Sequence, residues 1–214
     1  MPKGIFGAAI FLSAFLLFWV QPLFSKMVLP LLGGSPSVWN TAMMFFQVAL
    51  LAGYGYAHLL SHRIADLRAQ IAIHGAVIAS GLIILPFAVA HNLIPPTTGS
   101  PIPWLIGLLA VSVGWPFFAL AASAPLVQSW FARSSHRLSG DPYFLYAASN
   151  SGSLLALLAF PILFEPMLTL AGQARAWMFG YGALILILAV LGIVLSRTNG
   201  RAVPVAELPA SVVS

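Results

Sequence analysis

The sequence predicts an all-α, polytopic integral membrane protein with six transmembrane helices, and three observations carry that expectation. Of the 214 residues, 60% are hydrophobic and 6% are charged, with a mean hydropathy of +0.98, whereas soluble domains carry about 25% charged residues. Apolar runs of about 18 residues or more recur six times along the chain. Six spans of about 20 residues need roughly 120 apolar residues, and roughly 128 are present. A water-soluble fold is excluded, and so is an open coil, because a chain this apolar cannot stay solvated.

The runs lie at Ile5 to Leu29, Val38 to Leu60, Ala69 to Ala90, Trp104 to Val127, Tyr143 to Phe164 and Ala176 to Leu195. The first starts behind Lys3 like a secretory signal, but no small-x-small cleavage site follows, so it is expected to stay as an uncleaved helix. Gly33-Gly34-Ser35-Pro36 is the turn after it, and Pro95 to Pro101 joins the third and fourth runs. Asp141-Pro142 reads as a cap and first helical position, starting the fifth helix near Tyr143. Residues 1–196 form one six-helix transmembrane domain in this reading. Residues 197–214 form a short cytoplasmic tail, expected to be disordered because it holds Pro204 and Pro209 and little to bury. No internal repeat is visible.

Charge orients the bundle. The net charge is +5, yet the basic residues stand singly between apolar runs and form no patch for nucleic acid. Lys3, Arg63, Arg68, Arg133, Arg137, Arg197 and Arg201 fall on one side of a six-span topology, and Lys26 and Arg175 on the other. Basic loops stay in the cytoplasm, which places both termini there.

Polar side chains inside spans are the candidate functional groups, since hydrocarbon tolerates few of them. On the second helix Asn40, Gln47, Tyr54, His58 and Ser61 recur at helical spacing on one narrow face. That stripe is expected to look inward, either as the wall of a substrate path or as a seam of interhelical hydrogen bonds. Tyr146, Ser149, Asn150 and Ser153 cluster on the fifth helix beside a seam of small residues, Ala148, Gly152 and Ala156, suited to close helix packing. Gln21-Pro22 and Trp115-Pro116 predict kinks, with Gln21 a further candidate for the cavity.

Glu165 is the only acid within an apolar run, about 33 Å along its helix if the count starts at Tyr143. It lies at the boundary that also holds Lys26 and Arg175. A structural ion pair is one reading, and an outer gate or proton-coupling carboxylate is the other. His58 and His62 have the i, i+4 spacing of a metal pair, with His74 on the same side, but the glutamate of a zinc-protease helix is missing. No metal or other cofactor is assigned. His91 and His136 read as loop residues. The chain has no cysteine, and its four acids are widely spread, so no catalytic constellation assembles and an enzyme is not expected.

Several words of the sequence resemble a known family. They include Gln21-Pro22 through Lys26 to Pro36, Val38-Trp39-Asn40-Thr41, Phe45-Phe46-Gln47, Gly53-Tyr54 and Tyr56-Ala57-His58-Leu59-Leu60. Further on come Ala124-Pro125-Leu126, Gln128, Trp130-Phe131, Asp141-Pro142 through Asn150, and Glu165-Pro166. In this order they are similar to the membrane part of the bacterial fused MFS/spermidine-synthase-like proteins. The resemblance implies a half-MFS-like bundle in the bacterial inner membrane, without the soluble aminopropyltransferase-like domain that many relatives carry. It also implies a transporter-like module, read here as moving a small solute; because six-helix halves meet a partner half around a midplane site, homodimerisation would supply twelve helices. The alternative is a membrane anchor for a separate soluble aminopropyltransferase-like protein, docked on the basic loops Arg63 to Arg68 and Arg133 to Arg137. A polyamine site would demand several carboxylates, and the spans offer Glu165 alone.

Overall fold

A computed structural model of the chain describes residues 3–87, 99–134 and 143–199. The described residues are helical rods joined by short turns: α1 (Lys3–Leu32), α2 (Pro36–Arg63), α3 (Leu67–Ser80), α4 (Ile102–Leu109), α5 (Trp115–Ser134), α6 (Tyr143–Ala159), α7 (Glu165–Met167) and α8 (Leu170–Asn199). A π-helical turn, Ala110–Gly114, fuses α4 to α5, and a second, Phe160–Phe164, fuses α6 to α7. Five of the resulting rods are long and apolar enough to cross a membrane, and the shorter apolar helix Leu67–Ile83 accompanies them. Large hydrophobic side chains such as Leu51, Ile162, Phe179 and Leu186 are largely exposed on the outside of the bundle. A soluble surface would not display so many, but an apolar solvent accommodates them.

The first π turn explains itself from the sequence. Pro116 lacks an N–H and presses on the preceding turn, and one extra residue in that turn relieves the clash, while the second π turn holds Pro161 at its own start. The kink expected at Trp115-Pro116 is therefore realised one turn earlier, across Ala110–Gly114. The α1–α2 turn also follows its residues. Gly33 takes φ 73° and donates its N–H to the Leu29 carbonyl at 2.9 Å, the left-handed helix end that glycine permits. Pro36 then sits in the first turn of α2.

The third run departs from expectation. It is helical from Leu67, capped by Asp66, whose carboxylate accepts the Arg68 N–H at 3.0 Å. It tightens into a 3-10 turn at Gly81–Ile83 and ends there, not at Ala90. Pro86 disfavours helical backbone at Leu85, and Tyr181 of α8 closes against Gly81 while donating to the Ile78 carbonyl at 2.9 Å. The proposed Asp141-Pro142 cap, the 95–101 linker except Gly99 to Pro101, Arg137, His91, His136 and the tail beyond Asn199 lie outside the described residues.

Helix α1 is the central rod, packed on α6, α8 and α5, while α2 lies on α5 and α4 and α3 lies on α8 and α5. Phe6, Ile10, Leu16, Val20, Leu23 and Phe24 of α1 are fully buried. Three contacts fix how closely the rods approach. A side chain at Gly152 would collide with the Phe11 carbonyl of α1, with Phe11 Cα at 3.3 Å, so the small-residue seam of α6 does meet another helix. A Cβ at Gly53 would lie 2.8 Å from Ala121 Cβ and 2.9 Å from the Phe118 carbonyl, closing α2 on α5. Trp177 of α8 donates its buried indole N–H to the Leu16 carbonyl at 2.8 Å.

Candidate functional site

The polar stripe of α2 points away from the bundle, not into it. Asn40, Gln47, Tyr54 and His58 are all exposed, Tyr54 by 48%, while the intervening Thr41, Phe46, Gly53, Ala57 and Leu60 are buried against the neighbouring helices. Close packing at Gly53 explains the orientation, because only the small side of α2 can approach α5, and the polar side is left opposite. Ser61, partly buried at the end of the stripe, donates back to the His58 carbonyl at 3.0 Å. Neither Asn40, Gln47 nor Tyr54 finds a side-chain hydrogen-bond partner among the described residues.

Helix α6 repeats the pattern. Gly152 and Ala156 are buried on α1, whereas Tyr146, 56% exposed, and Asn150 face out, with Ser149 partly buried. Ser153 is occupied locally, its hydroxyl reaching the Ser149 and Asn150 carbonyls at 3.1 and 3.0 Å. On α1, Gln21 is partly buried and its amide turns back to the Leu17 carbonyl at 3.2 Å, while Ser25 donates to the Gln21 carbonyl at 2.8 Å. Both groups thus serve the helix around Pro22.

At one end of the bundle Lys26 and Glu165 form an ion pair, the structural reading of the lone acid. Arg175 is exposed and is not the partner of Glu165. The two paired side chains are 37% and 42% exposed, and such a pair contributes about 0–1 kcal/mol. Replacement Glu165→Gln is therefore expected to cost no more than about 1 kcal/mol of stability, read from the thermal midpoint. A much larger fall in a detergent melt would assign the pair a structural weight that its exposure denies.

The opposite end gathers arginines. Arg133 donates to the Ser61 carbonyl at the end of α2 at 2.7 Å, and Arg68 donates to the Ser196 carbonyl near the end of α8 at 3.0 Å. Each guanidinium satisfies a carbonyl that has no intrahelical donor and complements the negative helix terminus. His58 and His62 bring their rings to 4.2 Å, but no third His, Cys, Asp or Glu joins them among the described residues.

The structure also assembles a polar group that the stripes do not contain. Gln70 and His74, one turn apart on α3, are buried against α5. The Gln70 carbonyl accepts the Trp130 indole N–H at 3.0 Å, and its amide donates to the Ile64 carbonyl. His74 Nε2 lies 3.0 Å from Ser123 Oγ, which also donates to the Ala119 carbonyl at 3.0 Å. Ser123 has one proton, and giving it to Ala119 makes His74 Nε2 the donor and its Nδ1 the bare acceptor. That nitrogen and the nearby Tyr56 hydroxyl have no partner within the described chain. The i, i+4 spacing of Gln70 and His74 and the i, i+7 spacing of Ser123 and Trp130 were available in the sequence. Nothing in a single sequence pairs α3 with α5, however.

No group of three or more His, Cys, Asp or Glu side chains placed to hold a metal ion stands among the described residues. The structure offers polar faces turned outward, a buried polar lock and one charged rim. Comparison of the chain with family models, with curated proteins and with solved structures finds no match in any of the three.

Proposed function

We propose that the chain is a membrane-embedded transport module for a small solute, and that a second copy of it completes the polar cavity. The observation that carries this reading is the outward face of α2: Asn40, Gln47, Tyr54 and His58 stand exposed on a rod otherwise suited to lipid. Side-chain amides facing acyl chains are expensive, and a facing protein surface or water-filled cavity removes the penalty. Tyr146 and Asn150 extend the same argument to α6. Transporter bundles place their sites between two such halves near the bilayer midplane.

Six spans, with both termini on the arginine-rich side and that side in the cytoplasm of a bacterial inner membrane, belong to the same proposal. It is supported by Arg68 and Arg133 meeting the ends of α8 and α2 at one pole of the bundle. The resemblance to the membrane part of the fused MFS/spermidine-synthase-like proteins points the same way. The anchor alternative draws less support, because those two arginines are engaged within the chain.

Two measurements test the proposal. Gln47→Ala combined with Asn150→Ala is expected to lower solute flux in proteoliposomes at least tenfold while the protein stays monodisperse; unchanged flux removes the cavity. The chain has no cysteine, so Gln47→Cys introduces one thiol per copy, and oxidation is expected to give a covalent dimer. Equal cross-linking through Ile193→Cys, on the lipid-like surface of α8, would mark the dimer as random collision.

A further inference from the structure

We infer that the groove between α3 and α8 is a binding site for an anionic phospholipid, with the phosphate held by Arg68 and Arg197 and an acyl chain laid along the two helices. The inference goes beyond the transport reading and rests on it only for the bilayer. At the arginine-rich pole a pocket of about 390 Å³ opens between Arg68, Ile71 and Ala72 of α3 and Ala189, Ile193 and Arg197 of α8. A second pocket of about 110 Å³ adjoins it, sharing Ile71 and Ala189 and reaching Ile78 and Ile185. The groove is thus cationic at its mouth and mainly apolar below.

The charges give the first argument. Arg68 donates one N–H to the Ser196 carbonyl at 3.0 Å, which fixes its guanidinium at the mouth and leaves further donors of its five. Arg197, exposed in the last turn of α8, has no hydrogen-bond or ion-pair partner among the described residues. The neighbouring acid, Asp66, caps α3 and pairs with neither guanidinium. Two like charges lining one pocket favour an anion between them, and the guanidinium fork matches the oxygens of a phosphate. Basic pockets between membrane helices suit such headgroups.

The length of the groove decides what the anion belongs to. From Arg68 to Ile78 α3 rises about 15 Å, and from Arg197 to Ile185 α8 spans about 18 Å. Half of the roughly 30 Å hydrocarbon core is about 15 Å, the depth of one leaflet. An inorganic anion would occupy the mouth and leave the remainder empty, whereas a phospholipid fills both parts. The groove also opens sideways: Ala72, Gly75, Ala189 and Ile193 are all exposed, so a lipid can enter from the flank of the bundle. A Cβ at Gly75 would meet nothing within 4 Å, which leaves room for a chain beside it. His74 and Trp130 line the lower part, but their N–H groups are committed to Ser123 and Gln70.

The test is native mass spectrometry of the full chain in detergent, with phosphatidylglycerol or phosphatidylcholine of matched chains as the probe. Phosphatidylglycerol is expected to be retained about tenfold more strongly. Arg68→Gln combined with Arg197→Gln is expected to abolish the preference. Lys3→Gln combined with Arg63→Gln removes the same charge outside the groove and is expected to keep it. If the first pair fails to fold, Arg197→Gln alone takes its place, since that side chain has no partner to lose, and the preference is expected to fall at least about threefold. Gly75→Leu fills the groove while both arginines remain, and is expected to weaken retention of phosphatidylglycerol. Glycerol 3-phosphate, a head without chains, is expected not to displace it.

Equal retention of the two lipids overturns the site, as does loss of the preference in the Lys3 and Arg63 control. Displacement by glycerol 3-phosphate, or retention untouched by Gly75→Leu, overturns it in favour of a soluble anion. Flotation with phosphatidylcholine vesicles separates this inference from the reading beneath it. A chain that stays in the aqueous fraction sinks the membrane placement and the site together, whereas one that floats but retains both lipids equally sinks only the site.

Discussion

Gly152→Leu is expected to abolish the folded bundle, with a loss of at least about 3 kcal/mol and collapse of the monodisperse peak in gel filtration. The reason is what lies opposite. Its Cβ would meet the backbone of Phe11, not the tip of a flexible side chain, so the collision cannot be relieved by a change of rotamer. Helix α1 would have to move, and α1 is the rod on which α6, α8 and α5 all pack. The matched control is Gly55→Leu on α2, where a Cβ meets nothing within 4 Å. There the better helix propensity of leucine is expected to leave stability equal or slightly raised. Equal thermal midpoints for the two variants would refute the close crossing of α1 and α6.

The second large effect belongs to Gln70. Gln70→Leu is expected to destabilise the protein by about 2–4 kcal/mol, because it strands the buried Trp130 N–H and removes the donor to the Ile64 carbonyl. Desolvation without a partner, not the lost bond itself, supplies most of that figure. The double variant Gln70→Leu with Trp130→Phe removes both ends of the bond and is expected to recover about half of the loss. A double-mutant cycle on thermal or denaturant unfolding reads the coupling directly. Additive losses, with no recovery, would show that the two side chains do not depend on one another.

These effects mark the division between what residue order reveals and what packing adds. Helices, their approximate ends and the apolar character of the rods follow from local sequence, because run length, proline and glycine act within a few residues of themselves. The early end of α3 is only partly local: Leu85-Pro86 disfavours helix within the sequence, whereas the Tyr181 hydroxyl that packs on Gly81 and donates to the Ile78 carbonyl comes from a distant part of the chain. Candidate side chains were also legible as types and as faces. Asn40, Gln47, Tyr54 and His58 share a face by spacing alone, and the structure keeps them together.

The direction of that face was not legible. Helical spacing groups residues but is silent on which side of the rod meets a neighbour, and in an apolar chain the usual rule of polar outside and apolar inside loses its force. Close approach at Gly53 and Gly152 decided the matter, because backbone-to-backbone contact admits only the small-residue sides of α2 and α6. Likewise, Glu165 announced itself as the lone acid in a span, but its pairing with Lys26 over Arg175 depends on how α1 and α7 converge. Short-range chemistry writes the rods into the chain, while the meeting of groups far apart in sequence exists only once those rods are packed.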